Sequence, residues 1–473
     1  MLSFFPNYFT NRMIVLYVMT LIVSLLLFST FTMMWYNYAI VVIGVAGFCY
    51  FSGFLSLKWQ FLTEKQFIIR LLLTAFMIRV VWVIFSYYFY IAMTGIPFEF
   101  GSADSQVYHM LAYTLRHGLV ATGEYVPLFL PPRNIPLPFS DSGYAHYLGT
   151  VYWILQSDDV FIPRILKAVW GAWTCYLIYR LAARNFGEEA GRIAGILCML
   201  MPHMIYYTGL HVKETEMLFL LVAFMERADY VIRSKKFSAI NIALPILLAV
   251  LLFSFRTVLG AITLFSFMTA LVFMPGRVLS GWKRVFIIAW IVGAGAMLVG
   301  GPIMQEVEET LEQREENRAV FEREGGVANQ YVSVVAQSYK IAFLPAAVII
   351  PIPTVVYTEG QDNLRMLHSG LFVRGAMSFF LFFAVLLMIR RKEWRNHVLI
   401  LCFYASYLGV ISMSSMFFQE RFHLMLTPFL LAFGAYGISQ ATNRTKFYFN
   451  AYVVIYFGIV LVWQYLKITG RGG

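Results

Sequence analysis

Runs of about twenty consecutive apolar residues recur along this chain, and each is long enough to cross a bilayer as one helix. No other feature restricts the fold as much. Of the 473 residues, 60% are hydrophobic and 18% aromatic, with a mean hydropathy of +0.70. No soluble domain looks like that, so an all-α polytopic membrane protein is expected. Apolar length and the charges between runs give about 13 transmembrane helices. A hairpin is expected at 13–34 and 37–57, and a third helix at 66–94. Others follow near 161–183, 190–207, 213–232, 238–255, 257–274, 285–303, 371–389, 397–417, 424–440 and 448–466. The corresponding division is an N-terminal transmembrane hairpin (1–60), a core (61–440) with outer loops at 95–147 and 305–370, and a C-terminal transmembrane helix (441–473).

A formal charge of +11 would suggest a nucleic-acid partner in a soluble protein. Here the basic residues cluster at alternate segment ends, the positive-inside pattern, and no nucleic-acid footprint is visible. Six loops carry them: Lys58 and Lys65; Arg180 and Arg184; Arg233, Lys235 and Lys236; Arg277, Lys283 and Arg284; Arg390, Arg391, Lys392 and Arg395; Arg444 and Lys446. That side is expected to face the cytoplasm. Lys467 and Arg471 fall on the other side in this count. The apolar run after Arg12 is too long for a signal-peptide core, so no cleavable signal is expected. Cys49, Cys175, Cys198 and Cys402 all lie in apolar segments. Their spacing offers no metal site and argues against disulfides.

The opposite side holds the long loops, and long loops that are more than connectors tend to carry function. The first, about 95–147, is rich in proline. The second, about 305–340, begins with a glutamate-rich stretch relieved by Arg314, Arg318 and Arg323. It reads as a solvated helix, with an acidic metal site as the alternative. Residues 341–356 are apolar but broken by Pro345, Pro351 and Pro353. They read as a re-entrant or interfacial segment.

Charged residues on that side are the candidates for chemistry. Asp104 lies just past the third span, with Tyr108 and Ala112 following at i+4 steps. It fits either a base on a surface helix or a plain N-cap. Lys213, Glu214 and Glu216 crowd the turn between two spans. Three charges there need a water-filled cavity or one another; a loop ion pair is the alternative. Arg256 interrupts an apolar run and could bind phosphate bidentately or snorkel to headgroups. Arg421 and His423 open another helix at the same surface, and Arg164, Arg365 and Arg374 fall at outer helix ends. Arg79, inside the third span, must face the bundle interior and find partners, which reads as structural glue.

Four of these motifs together resemble the GT-C superfamily, polytopic glycosyltransferases that use lipid-phosphate-linked sugars. The nearest resemblance is to bacterial relatives of protein O-mannosyltransferases and lipid A aminoarabinose transferases. The motifs are Asp104-x-x-x-Tyr108-x-x-x-Ala112; Ile162-Pro163-Arg164-Ile165-Leu166; Val212-Lys213-Glu214-Thr215-Glu216-Met217-Leu218-Phe219; and Arg421-Phe422-His423 leading to Pro428. They span roughly residues 66–440. The chain departs from the pattern in having Ser105 after Asp104, where many relatives have a second acid, and in its extra N-terminal hairpin; no C-terminal soluble domain is expected.

The resemblance implies an inverting transferase, with a GT-C-like core and outer-face loop helices, at the outer face of the cytoplasmic (inner) membrane. It moves a sugar from a polyprenyl-phosphate donor to a glycan, lipid or protein hydroxyl. Such a reaction needs a base for the acceptor and cations for the departing phosphate. Asp104 and Glu214 are the expected catalytic pair. Lys213, Glu216, Arg256, Arg421, His423, Tyr108, Arg164 and Arg365 are the expected substrate contacts. No cofactor is required, and a divalent metal is left open. Two alternatives stand beside this one: an O-antigen-type polymerase or ligase, which would favour a late loop, and a non-enzymatic flippase or transporter, which would break helices at mid-membrane.

Overall fold

A chain this apolar has to satisfy its backbone inside its own helices, and it does. The computed structural model describes residues 2–122, 139–234, 239–273, 347–357, 362–413 and 415–469. Among them every regular element is a helix. In chain order these are α1 (Asn7–Leu27), α2 (Trp35–Trp59), α3 (Glu64–Thr94), α4 (Ala103–Thr122), α5 (Phe139–Leu155), α6 (Phe161–Phe186), α7 (Glu188–Leu200) and α8 (Pro202–Thr208). They continue with α9 (Glu214–Arg233), α10 (Ala239–Phe255), α11 (Thr257–Phe273), α12 (Asp362–Arg390) and α13 (Val398–Met413). A single turn, Glu420–His423, and a 3-10 turn, Leu424–Leu426, lead into α14 (Thr427–Ser439); α15 is Asn443–Thr469. Six described segments are long and apolar enough to cross a membrane: α1, α2, α3, Met366–Arg390, Glu420–Ser439 and α15. This is a multi-pass membrane protein. The expected span at 285–303 and the glutamate-rich stretch lie outside the described residues.

Two boundaries differ from expectation for physical reasons. α1 begins at Asn7, ahead of Arg12, because Arg12 is exposed and lies over the Tyr8 ring at 5.6 Å, so its charge leaves the helix intact. The segment 190–207 is two helices, because Met201 is extended and Pro202 opens the next one. That break leaves the carbonyls of Cys198 and Met199 short of helical donors. Arg79 supplies them. It is fully buried and donates to Met199 at 3.3 Å, Cys198 at 3.4 Å and its own helix at Ala75 (3.1 Å). Gly171 faces its side chain, and a Cβ there would lie 2.5 Å from Arg79 Nε. The intramembrane arginine is indeed structural glue.

α6 lies at the centre, packed on α3, α7 and α9. α1 packs on α2, α12 and α15, where Phe9 meets Phe380 and Phe449 edge-on, each at 5.1 Å. At the basic end, Arg184 pairs with Glu226 (2.6 Å) and Asp229 (3.0 Å), and Arg233 with Asp229 (2.9 Å). The basic residues of this end therefore staple α6 to α9. The non-helical segment 347–357 is buried by protein: Gln464 of α15 accepts from Val355 N–H (3.0 Å) and donates to the Pro353 carbonyl (2.8 Å). Irregular backbone near lipid survives only with such partners.

Candidate functional site

α3 ends at Gly95, whose left-handed φ of 78° turns the chain into the loop ahead of α4. Ahead of α4 sits Glu99, which accepts a hydrogen bond from Ser105 in the first turn of that helix. Burial raises the Glu99 carboxyl above the usual range, opposed by the Ser105 bond and by nearby Arg164. This buried anchor fixes the start of α4 and so aims Asp104, one residue before Ser105. Asp104 itself is 52% exposed and forms an ion pair with Arg421. A carboxylate this accessible can meet a substrate.

Three helix breaks converge on this pair. Arg421 lies in the turn Glu420–His423, and Arg256 is the non-helical residue between α10 and α11. Both guanidinium groups lie near the same ring, that of Phe422, at 5.3 and 4.5 Å. Arg256 also lies near enough to the Tyr407 hydroxyl for its charge to act on it. Lys213, at the break between α8 and α9, donates to the Phe255 carbonyl at 3.1 Å and lies 5.9 Å from the Tyr108 ring. Glu214 opens α9, where the helix dipole favours a carboxylate. It is near enough for its charge to act on Arg421, Lys213 and Tyr108. Its Oε2 is buried and accepts no hydrogen bond among the described residues. Glu420 accepts from the Tyr207 hydroxyl at 3.3 Å. Burial raises the Tyr108 phenol, and so do the Glu214 and Asp104 charges.

Of the expected site residues, Asp104, Tyr108, Lys213, Glu214, Arg256 and Arg421 come together. Three do not reach that cluster. Glu216 turns away to pair with Lys167 at 3.2 Å. Arg164 is fully buried and donates to the Pro97 carbonyl, which holds the loop ahead of Glu99. His423 is fully buried; Arg374 donates to its Nδ1 (2.9 Å), so its Nε2–H donates to the Phe417 carbonyl (2.7 Å). All three side chains meet protein partners away from the Asp104–Arg421 cluster. The side chain of Arg365 lies outside the described residues.

Sequence reading passed over Glu99, Lys167, Tyr144 and Tyr407. Lys167 carried a usable signal, an ionisable residue inside an expected span. Beside the cluster, His109 Nδ1 bonds the Tyr152 hydroxyl (2.9 Å), which bonds His211 Nε2 (3.2 Å). Burial lowers both imidazoles, which keeps them neutral. Among the described residues no group of three or more His, Cys, Asp or Glu side chains could hold a metal ion.

An exposed carboxylate, a second buried one and three cations around aromatic rings can accept a proton and neutralise an anion within one site. No family model matches the sequence, and no curated protein matches it. The structure is similar to archaeal oligosaccharyltransferase AglB from Archaeoglobus fulgidus, solved in complex with an inhibitory peptide and a dolichol-phosphate. Identity is 14% and the TM-score 0.47, over 86% of this chain and 56% of that one. The chain thus spans little more than half of that protein's length.

Proposed function

We propose that this chain is a GT-C-type glycosyltransferase that moves a sugar from a polyprenyl-phosphate donor to a hydroxyl acceptor at the outer face of the membrane. The observation that carries the reading is the Asp104–Arg421 ion pair with Arg256 against the same Phe422 ring. A base and its neighbouring anion-binding groups are what the displacement requires. Residues 61–440 form the core in this reading, flanked by the hairpin 1–60 and the helix 441–473.

The chemistry follows from that arrangement. Without donor, Arg421 is neutralised by Asp104. A donor phosphate competes for the same guanidinium and releases the carboxylate. Asp104 then accepts the acceptor's proton as its oxygen attacks the anomeric carbon from the face opposite the phosphate. The sugar–phosphate bond breaks with inversion, and the negative charge that develops on the lipid phosphate is held by Arg421, Arg256 and Lys213. Preorganised cations at such a position are worth about 2.7–4 kcal/mol each. Glu214 holds Lys213 and Arg421 in place between turnovers.

The test is transfer by the purified protein from a panel of polyprenyl-phosphate sugars, read as released lipid phosphate. Release that depends on a hydroxyl acceptor, and that falls in Arg421→Gln, is the expected result. No release from any donor of the panel, with added glycans, lipids and peptides as acceptors, would overturn the reading.

A further inference from the structure

We infer that Lys167 is a positioning residue of this site: it fixes the Lys213–Glu214 turn through the backbone and, through Lys213, the break that carries Arg256. Lys167 is fully buried in the second turn of α6. Its ammonium donates to the Val212 carbonyl and pairs with Glu216. The first intrahelical bond of α9 runs from Met217 N–H to the Lys213 carbonyl, so the Val212 carbonyl lies outside that helix. Lys167 supplies its donor. One cation therefore grips the turn on both sides, at the residue before Lys213 and at the residue two after Glu214.

The grip passes onward. Lys213 Nζ donates to the carbonyl of Phe255, the residue before Arg256. The aromatic packing runs in parallel: Lys167 lies over the Tyr144 ring at 5.3 Å, Tyr144 meets Tyr108 edge-on at 5.0 Å, and Tyr108 lies under Lys213. Gly143, beside Tyr144, seats α5 directly on the same break, because a Cβ there would lie 2.4 Å from Ser254 Oγ and 3.0 Å from the Ser254 backbone. A pair that served only to neutralise Glu216 would need neither the Val212 bond nor this continuation.

The relay is a statement about structure, so it can fail separately from the transferase reading, on which only its activity readout rests. The test uses the full-length protein and Lys167→Met/Glu216→Leu, which removes both charges together, so no unpaired buried charge remains and only the Val212 carbonyl loses its donor. Unfolding should stay cooperative, with the midpoint lowered only modestly by the freed Val212 carbonyl. Amide hydrogen exchange should rise at residues 209–216 and also at 254–258, which Lys167 does not touch, and remain unchanged at 226–233. Turnover should fall about 10- to 100-fold through misplacement of Lys213 and Arg256, with the donor KM within about threefold. Glu216→Gln keeps the Lys167–Val212 bond and should leave exchange at 209–216 near that of the parent. Unchanged exchange at 254–258 in the double variant, or Glu216→Gln disturbing both segments as much as the double variant does, would overturn the relay. If the parent protein transfers no sugar, the transferase reading falls while the exchange pattern still decides the relay.

Discussion

Replacing Asp104 by Asn separates catalysis from stability, because the structure gives the two effects very different sizes. The carboxylate is 52% exposed and its partner Arg421 33%. Ion pairs at that exposure contribute about 0–1 kcal/mol to folding. Asn keeps the shape and one acceptor oxygen but cannot serve as the base. Loss of a positioned base costs about 100- to 10,000-fold, or roughly 2.7–5.5 kcal/mol of barrier at about 1.36 kcal/mol per tenfold. Turnover should therefore collapse while the thermal midpoint moves little. Donor binding should hold or tighten, because Arg421 no longer has to leave a carboxylate. The assay is lipid-phosphate release under saturating donor, alongside thermal unfolding in the same detergent. Near-full transfer by Asp104→Asn would refute its assignment as the base. A large fall in thermal midpoint that matches the lost activity would refute the view that the pair is exposed and functional.

Four further outcomes are expected. Glu214→Gln should raise the apparent KM for donor more than it lowers turnover; a dead enzyme with unchanged KM would reverse the roles of Glu214 and Asp104. Arg79→Met should lower the thermal midpoint, since it leaves the Cys198 and Met199 carbonyls unsatisfied at about 1–3 kcal/mol each; an unchanged midpoint contradicts the glue assignment. His211 is held neutral by burial, so the unfolded chain binds the extra proton as pH falls below about 6.5, and stability declines there. Thermal scans from about pH 7 to about pH 5 should therefore slope less steeply in His211→Gln than in the parent, and equal slopes would count against it. A cysteine at the exposed position Ala103 should label in intact cells, and one at exposed Lys392 only after permeabilisation; the opposite pattern inverts the orientation.

How much of this was legible in the sequence follows from what one dimension can encode. Apolar length and charge mark where a helix meets each membrane surface, so Asp104, Lys213, Arg256 and Arg421 could all be assigned to one end. Spacing does not say which way a side chain points round its helix relative to neighbours that are distant in sequence. Glu214 and Glu216 illustrate this: they are about 200° apart at 3.6 residues per turn, and only the first faces the cluster. His423 was indistinguishable from Arg421 by position, yet its ring is enclosed between Arg374 and the Phe417 carbonyl. Arg164 was legible as a cation at an outer helix end, but its acceptor, the Pro97 carbonyl, is 67 residues away. Lys167 escaped because its partners, the Val212 carbonyl and Glu216, lie 45 or more residues away, and Glu99 because its bond to Ser105 depends on how the loop folds onto α4.

In the proposed reaction the Asp104–Arg421–Arg256 cluster, and not the basic end of the bundle, receives the lipid phosphate. The most direct test is a cryo-EM structure of the protein with a polyprenyl phosphate. The phosphate is expected within hydrogen-bond reach of Arg421 and Arg256, with the Asp104–Arg421 contact broken. A phosphate bound instead among Arg180, Arg184 and Arg227 at the opposite end, with Asp104 still paired to Arg421, would contradict it.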